Sequence, residues 1–151
     1  MSTRILFVCL GNICRSPAAE GVFCTLGEQA GLALTIDSAG TAGWHVGKAP
    51  YGPMQEAAMA RGYDLSGLRA RQFTAADFTD FDLIIGMDVD NVADMKILRP
   101  NGNKTPVRLF TDYSDNSKTS DIPDPYYTRD FEGALTLIED ASRGLVAQLL
   151  Q

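Results

Sequence analysis

Apolar and polar residues follow two rhythms along this chain, and the switch between them repeats four times. Arg4–Cys9 is short and almost wholly apolar, as expected of a strand buried on both faces. From Pro17 to about Ala30 the spacing widens. Ala19, Val22, Phe23, Leu26 and Ala30 fall on one helical stripe, with Ser16 predicted as cap, Pro17 at the first position and Gly31 as stop. Leu34–Asp37 predicts a second strand, halted by Ser38-Ala-Gly-Thr41 and followed by a loop to Pro53. Met54–Arg61 predicts a helix ended by Gly62, Phe73–Phe78 a helical turn, and Leu83–Met87 a third strand. Asp88 is placed to cap a helix reaching about Leu98, and Pro106–Phe110 predicts a fourth strand. Thr111–Thr128 keeps neither rhythm and predicts a long loop, a length that itself hints at function. The last helix starts near Asp130, with Phe131, Ala134, Leu135, Ile138, Ala141, Leu145 and Leu149 on one face. The alternation predicts an α/β fold: a four-stranded parallel sheet with helices on both faces.

Composition adds bounds. At 151 residues, the chain is expected to form a single domain, 1–151, that buries about two-thirds of its unfolded surface. The opening Met-Ser-Thr-Arg runs directly into a strand, which argues against a signal peptide, and no apolar run reaches membrane-spanning length. A net charge of −6 argues against non-specific nucleic-acid binding and makes any local anion site stand out. Three cysteines without a secretory signal predict reduced thiols and a cytoplasmic location. Cys9 and Cys14 are too far apart for a C-x-x-C motif, and a single histidine argues against a dedicated zinc site. No metal or cofactor is expected.

The chemistry concentrates at Cys9-Leu-Gly-Asn-Ile-Cys-Arg15-Ser16, where a buried strand ends and a helix begins. A helix N-terminus leaves N–H groups free and carries partial positive charge, so the loop feeding it can form a nest for an anion. Thiols in such places are reactive nucleophiles. The N–H groups of Leu10, Gly11, Asn12, Ile13, Cys14 and Arg15, with the planar fork of Arg15, suit three phosphate oxygens. Ser16 can donate to the Cys9 sulfur, and the pattern predicts attack of Cys9 on phosphorus. The leaving oxygen then needs a proton. Asp124, between two prolines in Ile122-Pro-Asp-Pro-Tyr-Tyr127, is the candidate acid, with Tyr126 and Tyr127 able to wall an aromatic substrate. Asp112, Asp115 and Asp121 read as solvated competitors, His45 as a surface residue, and Cys24 as inert.

The whole chain resembles the low-molecular-weight protein tyrosine phosphatases. The resemblance rests on Cys9-x5-Arg15-Ser16-Pro17, Ser38-Ala-Gly-Thr41, Ala70-Arg71-Gln72, Met87-Asp88, and Asp124-Pro-Tyr-Tyr followed by Asp130-Phe131-Glu132. It implies a flavodoxin-like fold, Cys9 as nucleophile, Arg15 as phosphate clamp and Asp124 as acid and then base. It also implies that Asn12 fixes the loop through Ser38, that Trp44 and Tyr126 flank the phosphotyrosine ring, and that Cys14 pairs reversibly with Cys9 on oxidation. Tyrosine-phosphorylated proteins are the implied partners, with a cognate tyrosine kinase, and the chain is expected to be a monomer or weak dimer. Two departures stand out: Tyr51-Gly52-Pro53 where many relatives carry an Asp with an Arg two residues on, and Leu68 where many carry a His.

The residues leave two alternatives open. An arsenate reductase would use the same anion loop, but the relatives of that kind resolve the intermediate with later cysteines, and none follows Cys24 here. A non-catalytic phosphotyrosine-binding module is the other, against which the intact Cys9 and Asp124 count.

Overall fold

The computed structural model describes residues 2–114 and 121–151. Four parallel strands form the sheet: β1 (Thr3–Cys9), β2 (Leu34–Gly40), β3 (Leu83–Gly86) and β4 (Val107–Leu109), in the order β2-β1-β3-β4. The central strand explains its own composition. Ile5, Phe7 and Cys9 point into one core with Val22, Phe23, Leu135 and Ile138. Leu6 and Val8 point into another with Phe73, Phe78, Ile84, Met95 and Val107. A strand covered on both faces has no polar positions to spare. The helices divide accordingly. α1 (Arg15–Gln29), α2 (Gly52–Ala60) and α6 (Phe131–Leu149) cover the first face. α3 (Asp77–Asp80) and α4 (Val89–Ile97) cover the second. A single turn, α5 (Pro125–Thr128), precedes α6. This is the expected α/β, flavodoxin-like arrangement. Among the described residues no helix is long and apolar enough to cross a membrane.

Several expected boundaries move, each for a physical reason. Helix α1 begins at Arg15 with Cys14 at the cap position, so Ser16 is not the cap but lies within the first turn, as does Pro17. Proline is tolerated there because first-turn N–H groups have no intrahelical partner. Its place in the first turn turns the Ser16 hydroxyl toward the thiol instead. Strand β2 continues past Asp37 to Gly40 because its parallel register with β1 runs on until Gly40 faces Cys9. Gly40 belongs there: a Cβ would lie 2.9 Å from the Leu10 carbonyl oxygen and 3.1 Å from the Asn12 nitrogen. Helix α2 starts at Gly52 rather than Met54, and the turn expected at Phe73–Phe78 falls at α3. The expected loop over 111–128 contains ordered turns. Phe110–Tyr113 is a 3-10 turn and α5 closes its far end. Asp115, read as solvated, lies outside the described residues. Asp121 is not a free surface acid: its Oδ1 accepts the Val89 N–H at 3.1 Å. Asp88 does cap α4, accepting the Asn91 N–H at 2.8 Å in a reciprocal capping box.

Candidate active site

Cys9 ends β1, and residues 10–14 turn over its sulfur before α1 begins. The sulfur is buried and held by two groups. The Asn12 N–H donates to it at 3.2 Å, and the Ser16 hydroxyl oxygen lies 3.0 Å away. The loop folds back this tightly because Asn12 adopts a left-handed backbone, φ 56°, which asparagine tolerates better than most side chains.

The Asn12 side chain then ties the loop to its surroundings. Its Oδ1 accepts the Arg71 N–H at 3.0 Å, which leaves Nδ2 to donate to Ser16 Oγ at 2.8 Å and Ser38 Oγ at 3.0 Å. Ser38 in turn donates to Glu20 Oε1 at 2.7 Å. Cys9 is thus joined through Ser16, Asn12 and Ser38 to a half-buried carboxyl group. Burial is the main reason that Glu20 is raised to about 7, with Asp37 adding to it and Ser38 and Arg71 opposing. Arg71 is itself paired with Asp37 and Asp77, both at 3.0 Å. Glu20, Arg71 and Asp77 were not legible as site residues. Arg71 stands in the sequence only within the Ala70-Arg71-Gln72 motif, and Glu20 and Asp77 carry no local signal that ties them to the thiol.

This carboxyl group makes a stability prediction with a defined sign. Glu20 holds its proton more tightly folded than unfolded, so between about pH 4.5 and 7 the folded state binds more protons and stability falls as pH rises. Glu20→Gln removes that titration and keeps the acceptor for Ser38. Relative to wild type, the variant should gain on the order of 1–2 kcal/mol above pH 7 and nothing below pH 4, as solvent screening trims the full shift. Urea melts at both pH values measure it. An equal difference at pH 4 and pH 8 would contradict the assignment.

Arg15 projects from the first turn of α1 and is almost fully buried. Nη1 donates to Asp88 Oδ2 at 2.6 Å and to the Ile122 carbonyl at 3.1 Å, and Nη2 reaches Asp124 Oδ2 at 3.4 Å. Burial alone would lower its pKa, but Cys9, Asp88 and Asp124 outweigh it and the net shift is upward. Among the described residues Nε has no hydrogen-bond partner although it is buried. Asp88 therefore serves twice, capping α4 through Oδ1 and orienting Arg15 through Oδ2.

Asp124 comes from the other end of the chain. Ile122 is fully buried, and its N–H donates to the Met87 carbonyl at 2.9 Å, so the segment is pinned at the end of β3 two residues before the acid. Asp124 caps α5, its Oδ1 accepting the Tyr126 N–H at 3.1 Å. Asp124, Cys9 and Cys14 line one cleft. Leu10, Gly11, Ile13, Trp44, His45, Tyr126 and Tyr127 line it as well. Trp44 and Tyr126 are 66% and 40% exposed, too open for core aromatics, and both line this cleft. His45, expected as a surface residue, is half-buried at this mouth. The Cys14 thiol is pushed up to about 12, first by burial and then by Asp124 and Cys9, against Arg15 and Arg129.

A thiol and a carboxyl group thus line one cleft together with aromatic side chains, and the Arg15 guanidinium reaches that carboxyl group from behind at 3.4 Å. The family model for low molecular weight phosphotyrosine protein phosphatase matches residues 4–151. The low molecular weight protein-tyrosine-phosphatase YfkJ of Bacillus subtilis is 41% identical over 147 residues, covering 96% of this chain and 94% of that protein. Its crystal structure superposes with a TM-score of 0.94 at 39% identity, over 99% and 96% of the two chains. A protein tyrosine phosphatase from Entamoeba histolytica superposes with a TM-score of 0.93 at 36% identity, over 99% and 97%. The chain belongs to the low molecular weight phosphotyrosine protein phosphatase family and is, with it, a protein-tyrosine-phosphatase.

Proposed function

We propose that this protein hydrolyses phosphotyrosine in protein substrates through a phosphocysteine intermediate on Cys9, with Arg15 as clamp and Asp124 as acid and base. The observation that carries the reading is the convergence of Cys9 and Asp124, 115 positions apart in sequence, on one cleft, with Arg15 bridging to Asp124. In the first step the Cys9 thiolate gives an electron pair to phosphorus. The S–P bond forms, the P–O bond to the ring breaks, and the leaving oxygen takes the Asp124 proton. In the second step Asp124 takes a proton from water, whose oxygen bonds to phosphorus as the S–P bond breaks. The electron pair returns to Cys9, where Ser16 stabilises it by donating from 3.0 Å. Tyrosine and inorganic phosphate leave. Arg15 and the N–H groups of Leu10–Arg15 hold the equatorial oxygens throughout, which supplies transition-state charge stabilisation without a metal.

Trp44 and Tyr126 flank the ring in this reading, and Asn12 with Ser38 keeps the loop closed. When peroxide oxidises Cys9 to a sulfenic acid, Cys14 condenses with it, releasing water and forming a disulfide that spares Cys9 further oxidation. The activity resides in one domain, 1–151, acting in the cytoplasm as a monomer or weak dimer opposite a cognate tyrosine kinase. Free Cys9, Cys14 and Cys24 accord with a reducing compartment.

Rapid acid quenching of the enzyme mixed with a phosphotyrosine peptide carrying ³²P tests the intermediate. The label should appear on the Cys9 peptide within the first turnover. Release of labelled phosphate with no label ever held on Cys9 would reject the mechanism.

A further inference from the structure

The mechanism above gives no role to Tyr51 and Arg129, yet these two side chains bridge the two halves of the site. Arg129 closes α5, its N–H donating to the Pro125 carbonyl at 2.9 Å. Its backbone is left-handed, φ 64° and ψ 11°, a region natural to glycine and costly for a long side chain. Such strain persists only where the surroundings over-determine it. Here the guanidinium does so. Nη1 donates to Tyr51 Oη at 3.0 Å and to the Tyr126 carbonyl at 3.4 Å. Cζ stands 5.3 Å from the Tyr51 ring centroid and 5.2 Å from that of Phe131, within cation–π range of both. Tyr51 reaches the opposite way through its backbone. Its N–H donates at 2.8 Å to the carbonyl of Ile13, inside the nucleophile's loop. Its ring centroid also lies 5.2 Å from that of Tyr126.

We propose that Tyr51 and Arg129 form a strut that sets the turn carrying Asp124 against the loop carrying Cys9, which makes Arg129 a positioning residue for the acid. The proposal rests on the role of Asp124 given above. The mechanical link is short. Asp124 caps the same four-residue turn that Arg129 closes, so a shift of the turn carries the carboxyl group with it. One helical turn has little stability of its own and depends on contacts from outside. Asp124 Oδ2 is only loosely held by Arg15, at 3.4 Å, so the turn's placement decides whether the carboxyl group meets the leaving oxygen.

General-acid help matters for a poor leaving group and little for a good one. The test is therefore kcat/KM for two small aryl phosphates, phenyl phosphate and p-nitrophenyl phosphate, neither large enough to lean on Arg129. Arg129→Gly is the informative variant because it relieves the left-handed backbone while removing the strut. It should lose about tenfold on phenyl phosphate and less than about twofold on p-nitrophenyl phosphate, with Arg129→Lys intermediate. A general loosening of the site would depress both substrates equally, and that result, or no loss on either, overturns the strut. Asp124→Asn is measured alongside. If it discriminates between the substrates and Arg129→Gly does not, the strut alone falls. If Asp124→Asn shows no discrimination, the acid assignment fails and the strut falls with it.

Discussion

Cys9→Ser is expected to lower kcat/KM on a phosphotyrosine peptide by on the order of 10⁴ to 10⁶, the scale on which removal of a covalent nucleophile acts. The geometry isolates the cause. The Cys9 sulfur accepts from Asn12 N–H at 3.2 Å and neighbours Ser16 Oγ at 3.0 Å, and a serine oxygen can accept from both without disturbing the loop. What disappears is the soft thiolate and its ability to leave phosphorus in the second step. Inorganic phosphate should therefore still raise the melting temperature of the variant, at least as much as it does for wild type, because a neutral hydroxyl repels the anion less than a thiolate does. Paired activity and thermal-shift measurements check both halves. A variant that keeps a tenth of the activity, or that loses the phosphate-dependent shift, contradicts this account of Cys9.

Arg15→Lys is expected to cost roughly 10³-fold in kcat/KM, within the range seen when a charge-stabilising donor or an arginine clamp is lost. The substitution keeps the positive charge, so the loss measures geometry. In the native site one guanidinium serves Asp88, the Ile122 carbonyl and Asp124, and its Nε has no partner among the described residues. A lysine ammonium is a single point with no planar fork and cannot span those partners and a phosphate together. The fold should persist, because Asp88 keeps a cationic neighbour and its bond to the Asn91 N–H. Asp88→Asn should fall between wild type and Arg15→Lys, since it leaves the arginine in place but loosens its aim. Kinetics on a phosphotyrosine peptide with parallel thermal melts separate the two effects. If Arg15→Lys matches wild type, the bidentate clamp is not what the site uses.

Much of this molecule is legible in the amino-acid sequence alone. The strands β1 and β3 and the stripes of α1 and α6 announced themselves because burial on one or both faces dictates apolar spacing locally. The loop from Cys9 to Ser16 was legible because its anion chemistry is written in consecutive residues. Asp88 was legible as a cap, since a cap is a property of one residue and the helix after it. Its second partner, Arg15, lies 73 positions away and no local signal could reveal it. The same limit hid Glu20, whose link to Cys9 passes through Ser38 on a neighbouring strand, and Arg129, whose partner Tyr51 lies 78 positions away. Ser16 meets the Cys9 sulfur as expected but does not cap the helix, for a related reason. A serine before a proline looks like a cap in one dimension, whereas its hydroxyl turns inward once the helix begins a residue earlier over the end of β1.

By itself, then, the amino-acid sequence determined the α/β class and the parallel sheet and marked out Cys9, Arg15 and Asp124 as the candidate thiol, clamp and acid, because periodicity, capping and contiguous motifs act over a few residues. Tertiary structure alone decided what holds those groups in register. The Cys9–Gly40 pairing, the Arg15–Asp88 ion pair, the Asn12 network and the Tyr51–Arg129 contact each join segments that only a closed sheet and its packed helices bring together. Their energies depend on burial and on distances of about 3 Å, and neither quantity exists until the chain has folded.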